Sequence, residues 1–174
     1  NAAKSTIKLD IYEAERPVGI QIFGANLDSM LQSVDIVSKT NPDIIDINFG
    51  CPVKKVVSKG AGAGILKDIP HMVRLTKEMV KRTKIPITVK TRLGWDEKTI
   101  KIVEVAERLQ DAGAKAITIH GRTRSQMYKG TADWKPIAQV KNNPRMFIPV
   151  FGNGDVNSPE KAAKMRDDFG LDGA

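Results

Sequence analysis

Apolar residues recur along this chain with two alternating periods, and the switch from one to the other happens five times. Gly19-Ile20-Gln21-Ile22-Phe23-Gly24, Ile44-Ile45-Asp46-Ile47-Asn48, Ile87 to Arg92, Ala116 to His120 and Ile148 to Phe151 are short, β-branched runs that read as strands. Between them the spacing turns helical. Met30, Leu31, Val34, Ile36 and Val37 follow an Asn26 or Asp28 cap, and Met72, Val73, Leu75, Met79 and Val80 mark a helix over about Pro70 to Arg82. Further helices are expected at Thr99 to Ala112, closed by Gly113, at Lys135 to Lys141, and from Pro159 to about Asp168. Such alternation implies a parallel sheet with right-handed crossovers. Ile7, Leu9 and Ile11 alternate as in an edge strand or an ordered lead-in, and Leu171 to Ala174 reads as the start of a further strand.

An open doubly wound sheet and a barrel both satisfy this pattern, so the polar residues have to decide. An open sheet concentrates its site at the switch point, whereas a barrel turns every strand's C-terminal end toward one mouth. Here Gln21, Asn48 with Cys51, Lys90 with Arg92, His120 and Asn153 stand at or near the ends of five successive strands. The expected fold is therefore an α/β TIM (β/α)8 barrel. With 174 residues the chain falls short of the roughly 250 of a complete barrel. An incomplete portion forming one domain over residues 1–174 is expected, with Asn1 at a fragment boundary.

Composition narrows the function classes. With 41% hydrophobic and 28% charged residues the chain is of globular type, and no apolar run approaches the roughly 18 residues of a membrane span. A single cysteine excludes an internal disulfide, and two distant histidines, His71 and His120, offer no zinc spacing. A cytoplasmic protein without metal or membrane is expected. The excess of 28 Lys+Arg over 20 Asp+Glu, a net charge of +8, favours a polyanionic partner.

Several residues could carry chemistry. Cys51 follows a strand end, where barrels place reactive groups, although lone cysteines are often small buried hydrophobes. Gly60 to Gly64 has G-x-G-x-G spacing without a GK[ST] ending, so it reads as a flexible turn whose mobility suits a lid. Gly152-Asn153-Gly154-Asp155 suits either a phosphate-binding loop or a tight turn. Lys90 lies in an apolar strand, where a charge needs a wet or ligand-filled site or an interior ion pair. His120 poses the same choice. Arg122, Arg124, Tyr128 and Lys129 combine cations with an aromatic, as RNA-binding loops do, and equally fit a solvated surface.

Five motifs in order, GIQIFG at 19–24, DINFGCPVKKV at 46–56, TVKTRLGW at 88–95, ITIHGRTRSQMYKG at 117–130 and FGNGDV at 151–156, resemble the catalytic barrel of the tRNA-dihydrouridine synthases. The bacterial B-type branch is the most similar. The resemblance implies FMN-dependent reduction of uridine in tRNA to 5,6-dihydrouridine, with NADPH or NADH as reductant. It makes Cys51 the acid that protonates C5 after hydride reaches C6. Gln21, Lys90 and His120 match positions on the FMN ring system, and Asn153, Gly154 and Asp155 match a flavin-binding turn. Asn48, Arg92 and Arg122 match substrate-side positions. Thiols of ordinary pKa, about 8.5, are protonated at neutral pH and can donate.

Two other readings stand beside it: a flavin barrel acting on a small pyrimidine or enoate, which would not need the basic 122–130 loop, and a non-catalytic RNA-binding fragment. By comparison with the family the five strands correspond to about 3 to 7, with the start of 8. Strands 1 and 2, the end of 8 and a C-terminal helical tRNA-binding domain are expected to lie outside this stretch. The isolated 1–174 chain is thus expected to bind FMN poorly and to have little activity; micromolar or tighter binding in a flavin fluorescence titration would contradict this.

Overall fold

A computed structural model describes residues 9–174. Strands β1 (Gly19–Ile22), β2 (Ile44–Asn48), β3 (Ile87–Arg92), β4 (Ile117–His120) and β5 (Val150–Asn153) form one parallel sheet in chain order. Helices α1 (Leu27–Ser38), α2 (Lys54–Val57), α3 (Ile69–Arg82), α4 (Ile102–Asp111), α5 (Lys135–Lys141) and α6 (Pro159–Asp168) lie in the connections. This is the strand-helix alternation of a TIM barrel, present as a part. Among the described residues the sheet does not close, since β1 and β5 are its two edges, and a single bridge, Phe151 to Gly173, begins the next pairing. The expected strand over Ile7, Leu9 and Ile11 lies partly outside the described residues; Leu9 and Ile11 pack on the core without joining the sheet. No helix among the described residues is long and apolar enough to cross a membrane.

Three of the helices begin where a side chain satisfies a free amide. The Asn26 side chain accepts from Ser29 N, the Asp68 side chain from His71 N, and the Ser158 side chain from Lys161 N. The amphipathic helices turn one stripe inward, as with Met72, Leu75, Thr76 and Met79 of α3 and Ile102, Val105, Ala106 and Leu109 of α4. α4 starts later than its sequence pattern suggests. Asp96 and Thr99 close a capping box around a separate 3-10 turn, Glu97–Thr99, and the helix begins only after it. Gly113 ends α4 at φ 103, and a Cβ there would meet Val80 Cγ1 at 2.7 Å, so α3 and α4 pack closely at this point.

Period-two alternation splits the sheet into two chemically different faces. Ile20, Ile45, Ile47, Ile87, Val89, Ile117, Ile119 and Val150 are buried in the apolar core beneath the helices, each burial contributing about 1.5–3 kcal/mol. The other face is polar, and its register aligns it in rows: Gln21–Asp46–Thr88, then Asn48–Lys90–Thr118, then Arg92–His120–Asn153. β5 begins later than expected, so Gly152 and Asn153 belong to the strand and not to a turn. Gly152 has no side chain because the Trp134 ring occupies that space.

Candidate active site

The rows of polar residues converge at the C-terminal end of the sheet. Gln21, Asn48, Cys51, Lys90, His120 and Asn153 border one cavity of about 450 Å³, together with Arg92 and Tyr128. A larger groove, about 650 Å³, runs along the β1 edge beside Ile36 and Val37, but Gln21 is the only one of these residues that reaches it. The polar strand-end residues therefore gather at the 450 Å³ cavity and not along this groove.

Cys51 is held by backbone bonds that do not involve its thiol. Asn48 Oδ1 accepts from Gly50 N at 3.1 Å and Cys51 N at 2.9 Å, while Cys51 O accepts from Ala63 N at 2.9 Å. The side chain is half-buried and free of any disulfide. The glycine-rich segment expected to act as a mobile lid is instead the floor of this loop. Gly62–Lys67 forms a 3-10 turn with Gly62 through Leu66 buried. Gly62 has φ 55, and a Cβ there would lie 2.7 Å from Cys51 O and 3.0 Å from Cys51 Cβ. Gly62→Ala is accordingly expected to displace the Cys51 loop and to cost about 1–3 kcal/mol from the forced shift and backbone strain. A chemical denaturation curve and the rate of Cys51 alkylation check this, and an unchanged alkylation rate would contradict it.

Two residues not singled out from sequence support the Cys51 loop from below. Asp46 accepts from Gln21 Nε2 at 2.7 Å and from Thr88 Oγ1 at 2.7 Å. Gln21 Oε1 in turn accepts from Asn48 Nδ2 at 2.9 Å. The period-two pattern of β2 carried the clue, because it places Asp46 on the same face as Asn48.

Lys90 Nζ donates to Asn153 Oδ1 at 2.9 Å across the mouth. Its pKa is lowered, first by burial and then by Arg92, with Asp46 opposing. His120 is 9% exposed, and its pKa is lowered to about 4 by burial and by Arg92, Lys90 and Arg122. It is therefore neutral at pH 7. Its Nδ1 is buried and without a hydrogen-bond partner among the described residues.

The arginines are engaged in holding loops. Arg92, 3% exposed, borders the cavity but donates through Nε to Gly50 O and through Nη1 to Thr123 O and Met127 O. It ties the Cys51 loop to the loop after β4. Its guanidinium also lies 5.5 Å from the ring of Tyr128, which is 69% exposed at the rim. Arg122, expected on the substrate side, is buried and turned away from the cavity lining. It donates to Lys129 O and Gly130 O and pairs with Asp155 at 2.7 Å. Asp155 also accepts from Ala132 N, which, with Arg122, holds its carboxyl below the usual range. Gly154 and Asp155 thus lie beside the cavity and not in its wall. The Gly154 backbone passes close under His120, since a Cβ would meet His120 Nε2 at 3.4 Å.

Removing one partner of a fully buried ion pair costs about 3–5 kcal/mol, and solvent around the 35%-exposed Asp155 side chain lowers this. Asp155→Ala is expected to destabilise the fold by about 2 kcal/mol in urea titration at pH 7. Adding Arg122→Met should recover part of that loss. Strictly additive losses would show that the pair is not coupled.

The residues present suit a flat, polar, anion-bearing cofactor. The Lys90 cation, the side-chain amides of Gln21, Asn48 and Asn153, and a neutral imidazole with an unpartnered nitrogen border one space together with a thiol.

Comparison with known proteins places this geometry in a family. The dihydrouridine synthase (Dus) model matches residues 1–174. The "Probable tRNA-dihydrouridine synthase 1" of Synechocystis sp. is 43% identical over 165 residues, covering 95% of this chain and 46% of that protein. The tRNA-dihydrouridine synthase B of Pseudomonas aeruginosa is 37% identical over 172 residues, covering 99% and 51%. Among solved structures, a mandelate oxidase variant with benzaldehyde shares 16% identity at a TM-score of 0.60, over 87% of this chain and 46% of that one. A lactate oxidase from Pediococcus acidilactici shares 17% at a TM-score of 0.58, over 87% and 45%. These two likenesses show the fold alone. The chain spans about half the length of the curated relatives it matches, and it belongs to the dihydrouridine synthase family.

Proposed function

We propose that this chain is part of the catalytic barrel of an FMN-dependent enzyme that reduces uridine in tRNA to 5,6-dihydrouridine. The observation that carries the reading is the convergence of Gln21, Asn48, Cys51, Lys90, His120 and Asn153, from five different strands and their loops, on one cavity. The flavin, when bound and reduced by NADPH or NADH, supplies a hydride for C6 of the uracil. Cys51 holds the proton for C5 on Sγ, and Asn48 fixes the loop that presents it. Lys90 places positive charge where a reduced flavin carries negative charge. Neutral His120, Gln21 and Asn153 offer hydrogen bonds to the same ring system. Gly154 and Asp155 support the turn beneath His120. Arg92 and Arg122 act on the substrate side indirectly, by folding the 121–130 loop that carries Tyr128 to the rim.

The uridine has to leave its stack to reach this cavity, and an exposed aromatic at the rim suits an unstacked base. The net charge of +8 fits a tRNA partner, and such a partner suits a cytoplasmic setting. Mass spectrometry of tRNA from cells lacking the complete protein tests the proposal. One or more dihydrouridines should disappear and return with the wild-type gene. Unchanged dihydrouridine would remove the tRNA assignment and leave a small pyrimidine or enoate as substrate.

A further inference from the structure

A second constellation lies at the same end of the sheet but outside the cavity just described. Trp95, in the loop after β3, has Lys67 Nζ 3.9 Å from its ring and the Arg124 guanidinium carbon at 4.7 Å. Lys67 is the last residue of the buried Gly62–Lys67 turn, and Arg124 lies in the loop after β4, so three consecutive loops meet on one indole. Two backbone bonds fasten the meeting: Arg124 N to Gly94 O and Ser125 N to Trp95 O, both 2.9 Å. Beside it is a separate cavity of about 310 Å³, lined by Lys67, Trp95 and Lys101 among others.

The charges here are unbalanced. Among the described residues Lys67, Lys101 and Arg124 form no ion pair with a carboxylate. Arg124 Nε is buried and has no hydrogen-bond partner among the described residues. The Asp96 carboxylate, next to Trp95 in sequence, accepts through one oxygen from Lys98 N and Thr99 Oγ1 and makes no ion pair among the described residues. Two cations against one ring leave positive charge at this spot with no carboxylate paired to it, and a bound anion offsets that charge. The cation–π contacts also hold both side chains in place, so less rotamer freedom is lost when an anion arrives.

We propose that Lys67, Trp95 and Arg124 form a binding site for a backbone phosphate of the RNA strand, outside the pocket that receives the reacting base. This rests on the tRNA reading above. The site grips the strand at a distance from the chemistry, so the energy of that grip helps hold the base at the mouth.

The test uses the complete protein with Lys67→Gln and Arg124→Gln, singly and together, titrated with an unmodified tRNA transcript at several salt concentrations. The double variant is expected to bind about tenfold more weakly, with a slope of log K against log salt shallower by about 1. Flavin absorbance of the purified variants reports folding; because Lys67 is exposed, its single variant keeps the test usable if Arg124→Gln fails to fold. Unchanged affinity and salt slope in a folded Lys67→Gln variant would overturn the proposal and leave the cluster as loop packing. A raised KM for NADPH with unchanged tRNA affinity would overturn it too, by assigning the phosphate to the reductant. If the wild-type protein itself binds no tRNA, the functional reading fails, and not the site alone.

Discussion

Cys51→Ala in the complete protein is expected to lower the rate of dihydrouridine formation by about 10²–10⁴-fold, the usual contribution of a positioned general acid. The change removes Sγ and its proton and little else. Asn48 Oδ1 holds the Gly50 and Cys51 amides, and Ala63 N holds the Cys51 carbonyl, so the loop keeps its shape without a thiol. Binding of tRNA, measured by filter retention, and the flavin spectrum should remain as in the wild type. Single-turnover oxidation of the reduced protein by tRNA isolates the step. A variant that reduces tRNA at the normal rate would show that the proton comes from elsewhere.

Lowering the pH from 7 to about 4.5 should destabilise the fold through His120 alone by about 2 kcal/mol. The folded protein holds this imidazole at a pKa of about 4, against an ordinary 6.5, because burial and three neighbouring cations disfavour its charged form. In the unfolded chain the ring takes up a proton as pH falls through 6.5. In the folded chain it does so only near 4. Across that window the unfolded state binds more protons, so stability present above pH 6.5 is lost as pH falls toward 4. Carboxylates with lowered pKa values, such as Asp155, add a loss at still lower pH. They are common to wild type and variant. Urea midpoints of wild type and His120→Gln at pH 7 and 4.5 separate the contribution, because the variant should lose less stability between the two. Equal losses would mean that the imidazole takes up its proton over the same pH range in the folded and unfolded chains.

The alternation of strands and helices was legible because burial on a sheet face or helix stripe leaves a local period. β2, β3, α5 and α6 fall within the expected limits for that reason. The strand-end residues Gln21, Asn48, Cys51, Lys90, His120 and Asn153 were legible as well, since parallel strands bring all such ends to one side. Contacts between segments far apart in the chain left no period to read. Nothing local distinguishes Gly62 in a flexible lid from Gly62 wedged under Cys51. Arg122 and Arg124 look alike in a basic run, yet the first is buried against Asp155 and the second lies on Trp95. Asp46 was visible but unremarked, because its partners Gln21 and Thr88 belong to other strands.

The bonds from Thr88 through Asp46, Gln21 and Asn48 to the Cys51 loop have a direction. A carboxylate only accepts, so Asp46 draws the NH₂ end of Gln21 toward itself and leaves the Gln21 oxygen facing outward. That oxygen takes the NH₂ of Asn48, and the Asn48 oxygen is left for the two loop amides. Both amide side chains could otherwise turn end for end with almost no change of shape. One acidic residue at the bottom of the row thus selects between two sterically equivalent arrangements, and only one of them holds the thiol-bearing loop.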